Sequence, residues 1–421
     1  MENYIYLDNN ANSVPTKEVI STYIKYSTVG NIDGNNKIAK NAKKKVEEFK
    51  QYLNDICELN DEYELILTSG ATESNNSFIR MVVERSIKQN VKPHILISNV
   101  EHSSITQCCL DLVPIISFEE IPVSIQGDFY GQVDPMLLEK CITDNIRINR
   151  KPTLICIMSA NNENGTINRV RELSSIAHKY DILFFSDCVQ LFPRYPVLAN
   201  KIDLDAFSIS FHKLHGYAGI GLLAVRKEIL TTLKSIMSGS RKYRSGTMNP
   251  SLIMSSFVAT VQTFENRQEK TTYLRSLRSY LLSKLNSSIN IVNVLDKYEM
   301  VNILKSNTLP TVIVCMIRNT KWHLPNTLFI ANNIEGCCNI AIQNWLEHYN
   351  IIIGLGSACN NISGNVSYVV KNTVPENIRS SVIRVSLCDH NTEKEIDVFV
   401  KKYLEIILSK KGLSDDFIKN S

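Results

Sequence analysis

No stretch of the 421 residues supplies the ~20 consecutive apolar residues that a membrane-crossing helix needs, so no membrane partner is expected. The chain also lacks a basic arm with interleaved aromatics. Its formal net charge is only +4, and nucleic acid is therefore not an expected partner. No Cys-x-x-Cys pair occurs among the eleven cysteines, and the adjacent pairs Cys108-Cys109 and Cys337-Cys338 lack zinc-ligand spacing. A disulfide scaffold is excluded in a chain this long, no metal site is expected, and the thiols should be reduced and mostly buried. The first residues, Met1 to Asp8, show neither a basic region followed by an apolar stretch nor an Arg-rich presequence, so a cytoplasmic location is expected. Repeats and low-complexity linkers are missing as well.

What is present suits a large enzyme-like fold. A hydrophobic content of 44% over this length can fill a large core and two domains. Between about residue 60 and residue 225, short apolar runs alternate with helical patterns, the mark of an α/β fold with a mainly parallel sheet. The expected strands are Glu64–Thr68, Ile95–Ser98, Thr153–Met158, Ile182–Ser186, Ala206–Ser210 and Gly221–Val225, with a helix over Val170–Tyr180. A long helical segment, Ser256–Asn286, then leads into a second alternating region. The division expected is a large domain over 1–255 and a smaller C-terminal α/β domain over 256–421, with the N-terminal arm 1–13 packed on the smaller one. The polar stretch Ser409–Ser421 should fray.

Several polar clusters fall at strand ends, where open α/β sheets bind ligands. Ser210, His212 and Lys213 put two hydrogen-bonding side chains beside an amine, an arrangement suited to a Schiff-base lysine with a phosphate nearby. Most lysines are solvated surface charges, so the neighbouring clusters carry the case. Ser69-Gly-Ala-Thr-Glu-Ser74 runs from a strand into a helix start whose N–H groups and Thr72 hydroxyl can cradle a phosphate; taken alone, it reads rather as an ordinary capping box with Ser69 or Thr72 at the N-cap. His102 follows a strand and can lie flat on an aromatic cofactor. Asn161-Asn-Glu163 reads alone as a turn. Asp187 ends a very apolar strand, where a carboxylate is costly unless paired; a protonated pyridine nitrogen is a fitting partner, and Gln190 can reach the ring hydroxyl. Cys359 sits in a Gly/Ser/Asn-rich stretch, unlike the other cysteines, whose contexts are mostly apolar. Cys188, beside Asp187, reads as packing.

Together with Arg244-Ser-Gly-Thr247, Gly356-Ser-Ala-Cys359 and Ile383-Arg-Val-Ser-Leu387, these motifs stand in one order along the chain. In that order the chain resembles the NifS/IscS-type cysteine desulfurases, pyridoxal 5'-phosphate (PLP) enzymes of fold type I in the class V aminotransferase group, over nearly its whole length. The resemblance implies that Lys213 carries PLP as a Schiff base and moves the substrate Cα proton. It implies that Asp187 pairs with the pyridine nitrogen, Gln190 with the ring oxygen, and His102 with the ring face. Thr72, Ser210 and His212 would hold the phosphate, and Thr247 would reach the phosphate of a partner subunit in a homodimer. Arg384 would take the α-carboxylate of L-cysteine through its planar fork, with Asn162 supporting the same region. Cys359 would receive the sulfur as a persulfide and pass it to an acceptor or scaffold protein, as in iron–sulfur cluster assembly. Selenocysteine lyase or another class V reaction, and a non-catalytic PLP-fold binding protein, are the alternatives.

Overall fold

Strands that are apolar on both faces need cover above and below, and Leu183–Asp187 shows the pattern: Phe184 enters one core and Phe185 the other. The computed structural model describes residues 4–125, 129–235, 237–286, 291–294, 312–315, 323–332, 334, 337–356 and 366–409. Seven strands form the central sheet: β2 (Tyr63–Thr68), β3 (His94–Ser98), β4 (Ser117–Ile121), β5 (Leu154–Cys156), β6 (Leu183–Asp187), β7 (Ala206–Ser210) and β8 (Gly221–Arg226). Their order is β2-β8-β7-β6-β5-β3-β4. Only β8 runs against its neighbours, and the other adjacent pairs are parallel. The expected α/β architecture with a mainly parallel sheet is therefore present.

One face of this sheet packs Phe184, Phe207 and Ile209 with Phe49 and Phe211, and the other packs Ile97, Cys156 and Phe185 with Phe78. Phe78 stacks on Phe185 at 5.1 Å between ring centroids. All six expected strands occur, with ends shifted by at most two residues. The missing strand was β4. Its Glu119 and Glu120 are tolerated because β4 is an edge strand paired on one side only, and those charges hide it from an apolar-run reading.

The expected helix over Val170–Tyr180 runs from Val170 to Lys179. The long segment Ser256–Asn286 is two helices, Pro250–Phe264 and Arg267–Asn286, and here the expectation is corrected. Glu265 is extended and Asn266 has a left-handed φ of 53°, so the chain breaks and restarts. Beyond it lies a second sheet, ordered β13-β11-β10-β9, built from β9 (Ile291–Val294), β10 (Val312–Cys315), β11 (Thr327–Asn332) and β13 (Ile383–Ser386). Separately, β1 (Ile5–Leu7) pairs in parallel with β12 (Ile351–Ile353). Leu7 thereby joins Leu277, Leu281, Ile330, Ile383, Phe399 and Tyr403 in one core. Among the described residues no helix is long and apolar enough to cross a membrane.

A charged clamp ties helix Val170–Lys179 to the sheet. His178 Nδ1 lies 2.8 Å from Asp203 Oδ2, and its Nε2 lies 2.9 Å from Asp205 Oδ2. The same Asp205 oxygen accepts from Phe184 N at 2.6 Å, and Asp203 pairs with Arg226 at 2.6 Å. The hydrogen bond to Asp205 leads in pushing the His178 imidazole up to about 9, against the opposing effect of burial. A raised folded-state pKa stabilises fully below the unfolded value of about 6.5, and that contribution is lost as pH rises through about 9. Melting temperatures measured from pH 6 to pH 10 should therefore fall, and His178→Gln should flatten that fall. An unchanged pH profile in the variant would remove the clamp from the account.

Candidate active site

The parallel strands end on one edge of the central sheet, and the polar motifs follow those ends. They surround a cavity of about 370 Å³ lined by Thr72, His102, Asn162, Asp187, Gln190, Ser210, His212, Lys213 and Arg384, among others. All the anticipated site residues except Thr247 and Cys359 meet there. Thr247 is exposed and does not line this cavity. Cys359 lies outside the described residues.

Asp187 ends β6 with only 5% of its surface exposed. Its Oδ1 accepts from Val189 N at 3.0 Å and its Oδ2 from Asn75 Nδ2 at 2.9 Å. The Asn75 amide is engaged at both ends: Nδ2 also donates to Ser104 Oγ at 2.8 Å, and Oδ1 accepts from Ser208 Oγ at 2.6 Å. Ser104 then meets His102, whose Nδ1 accepts from Ser104 N at 3.1 Å. A ring nitrogen that accepts from an amide carries no proton, so in the neutral ring the proton sits on Nε2. Burial lowers the pKa of His102, against the pull of the Asp187 carboxylate. Beneath it, burial pushes the Glu101 carboxyl up to about 8, although Ser98 and Met158 N both donate to it, so it keeps a proton at neutral pH.

Lys213 Nζ donates to the carbonyls of Asn10 and Ala11, each at 2.5 Å. Gln190 Nε2 reaches the same Asn10 oxygen at 2.9 Å. The Asn10 side chain is held by Thr327 Oγ1 at 2.9 Å and Asn326 Nδ2 at 3.1 Å, both beside or on β11. Arg384, on β13, is 2% exposed. Its Nη2 pairs with Asp8 Oδ1 at 2.6 Å and its Nη1 donates to the Asn162 carbonyl at 2.9 Å. Among the described residues its buried Nε has no partner. A Cβ at Gly354 would approach Arg384 Nε to 2.8 Å and Asp8 Oδ1 to 2.5 Å, so glycine keeps this fork in place.

At the other end, Ser210 Oγ and His212 Nδ1 are 2.8 Å apart. Burial leads in lowering the His212 imidazole to about 3, with Lys213 adding to it, so the ring is neutral at physiological pH. Helix Ala71–Lys88 begins at Gly70 with no side-chain cap, which overturns the alternative of Ser69 or Thr72 as the N-cap. Gly70 leaves room at this helix start: a Cβ there would meet no atom within 4 Å. Glu73 instead accepts from Ser69 N at 2.7 Å and from Arg244 Nε at 2.8 Å. That pair holds the Arg244–Thr247 stretch near the rim.

These groups fit pyridoxal phosphate. An unpaired helix start beside Ser210 and His212 suits a phosphate, and a buried carboxylate suits a pyridinium nitrogen. Cys188 is fully buried and its thiol is pushed up to about 12 by burial, which suits packing rather than attack. Sequence reasoning missed Asn75, Asp8 and Asn10. Asn75 had a signal: it shares the apolar stripe of Phe78, Ile79 and Val82, at helical spacing, where a polar residue calls for an explanation.

Comparison with known proteins agrees with this fold. The family model for class V aminotransferases matches residues 5–399. The cysteine desulfurase IscS of Dictyoglomus turgidum is 30% identical over 418 residues, covering 97% of this chain and 96% of that protein. A mitosomal cysteine desulfurase of Trachipleistophora hominis is 29% identical over 320 residues, covering 74% of this chain and 64% of that protein. A solved NifS-like protein superposes with a TM-score of 0.79 at 26% identity, covering 96% of this chain and 99% of that one.

Asn75→Ala should strand Asp187, Ser104 and Ser208, a loss of about 1–3 kcal/mol that would weaken PLP binding about tenfold or more. Absorbance titration of the apoprotein with PLP measures it. Unchanged affinity would mean that Asn75 does not orient Asp187 for the cofactor.

Proposed function

The chain belongs to the class V aminotransferase family, and on that premise we propose that it is a PLP-dependent cysteine desulfurase converting L-cysteine to L-alanine. The observation that carries this reading is the meeting of Lys213, Asp187, His102 and Arg384 around one cavity at the sheet edge. PLP, when bound, supplies an electron sink for the pair left at the substrate Cα.

The chain's own residues do the rest. Asp187 would face the pyridinium nitrogen, Gln190 the ring oxygen and His102 the ring, while Thr72, Ser210 and His212 would hold the phosphate. Asn162 supports the substrate pocket through its contact with Arg384. Arg384 lines the cavity and has Nη hydrogens to offer the substrate carboxylate, with Asp8 fixing the plane of its fork. Lys213 Nζ takes the Cα proton and later returns a proton to the product carbon. The Cys359 thiolate attacks the substrate sulfur; the new S–S bond forms as the substrate Cβ–S bond breaks, leaving a persulfide on Cys359. A sulfur-acceptor or scaffold protein then takes that sulfur. The exposure of Thr247, and its tether through Arg244 and Glu73, support its reaching the phosphate of a second subunit in a homodimer. We assign 1–255 to the PLP-binding domain and 256–421 to the smaller domain, and the cytoplasm as the location.

Adding L-cysteine together with a reducing thiol, whose oxidation to a disulfide frees the persulfide sulfur, should let the PLP-loaded protein yield alanine and sulfide. Lys213→Ala should change the cofactor's visible spectrum and slow turnover about 10²–10⁴-fold. Cys359→Ser should keep the spectrum and lose sulfide release. Wild-type turnover without sulfide would point to another class V reaction, and full activity of Cys359→Ser would remove that residue from the mechanism.

A further inference from the structure

A second cavity, of about 600 Å³, lies on the far side of Lys213. Two residues past Lys213 the chain passes through His215, whose φ of 61° is a left-handed conformation unusual for a residue with a side chain. Two contacts hold it there. Its backbone N–H donates to Ser13 Oγ at 2.7 Å, and its ring Nδ1 lies 2.8 Å from the Val14 carbonyl oxygen. A carbonyl only accepts, so Nδ1 carries the proton and the neutral ring presents the lone pair of Nε2. That nitrogen faces Asp389 Oδ1 at 3.6 Å. The separation is long for a hydrogen bond and close to the ~3.4 Å between two ligands of one tetrahedral ion bound at ~2.1 Å.

His390 adds a third ligand. One ligand atom from each of His215, Asp389 and His390 lies within 4.8 Å of the others. The turn bearing Asp389 and His390 is held closed by Asn391, whose Oδ1 accepts from Cys388 N at 2.8 Å and whose Nδ2 donates to Tyr6 O at 3.1 Å. An imidazole whose other nitrogen donates to a backbone carbonyl, opposite a carboxylate on a pinned turn, is the usual setting of a metal-ligating histidine. Lys270 Nζ lies 3.5 Å from Asp389 Oδ2, which leaves Oδ1 toward the histidines. That added positive charge disfavours hard, weakly bound cations and favours an ion with strong imidazole affinity.

We propose that His215, Asp389 and His390 form a site for a zinc-like transition-metal dication, open toward this cavity. His215 belongs to the connection between β7 and β8, whereas the other two follow β13, so the ion would tie the two sheets together. Sequence spacing could not show the site, because the fold brings its members together from distant parts of the chain.

The test uses PLP-loaded, metal-free protein titrated with cobalt(II), followed by its ligand-field absorbance, and equilibrium dialysis against zinc(II). One ion should bind per chain, and His215→Ala, His390→Ala and Asp389→Asn should each weaken binding at least tenfold. His390 is exposed, so its replacement should keep the native melting temperature and cofactor spectrum. Absence of uptake by the wild type, or uptake unchanged in His390→Ala and His215→Ala, would overturn the site.

Discussion

A carboxylate at the end of an apolar strand is the constraint around which this molecule is arranged. Asp187 has little access to water, so its charge must be met by hydrogen bonds from protein groups or by a positive ligand. Val189 N and Asn75 Nδ2 each donate to one carboxylate oxygen, and the cavity beyond supplies room for the rest. The buried amide of Asn75 has both its hydrogens and its oxygen engaged, and this ties β6, β7 and the helix after β2 to one orientation. That orientation sets which part of Asp187 a cofactor can meet.

The same economy governs the positive groups. Arg384 is buried yet compensated by Asp8 and the Asn162 carbonyl, while Lys213 rests on two carbonyls of the Asn10-Ala11 segment. Neutral His212 and Nε2-protonated His102 add hydrogen-bonding groups without adding charge. The cavity thus holds its cations at fixed places with counter-groups already assigned, a form of preorganisation that leaves little to rearrange when an anionic ligand arrives.

Much of this was legible in the sequence because it is local. Strands of continuous apolar residues announce themselves, and polar residues at their ends, such as Asp187 and Ser210 to Lys213, stand out against that background. Edge strand β4 was hidden by Glu119 and Glu120, since one open flank removes the demand for apolar residues. The break at Glu265-Asn266 was hidden because a single left-handed residue leaves the helical periodicity on both sides intact. Asp8 and Asn10 were illegible for a different reason: their partners, Arg384, Asn326 and Thr327, lie more than 300 positions away, and no local pattern encodes such a contact. Thr247 and Cys359 were singled out by motif alone, and one stands exposed while the other falls beyond the described residues.

The pairing of Ile5–Leu7 with Ile351–Ile353 has a consequence for how the protein comes to exist. During synthesis the segment that cradles Lys213 emerges long before its partner strand and Arg384. The central sheet can fold on the ribosome with its wall missing. Closing that long loop is a high-contact-order step, slow relative to local folding. Until it happens, the nascent protein holds a half-built cavity with an uncovered lysine, so competence for cofactor should arrive late and all at once.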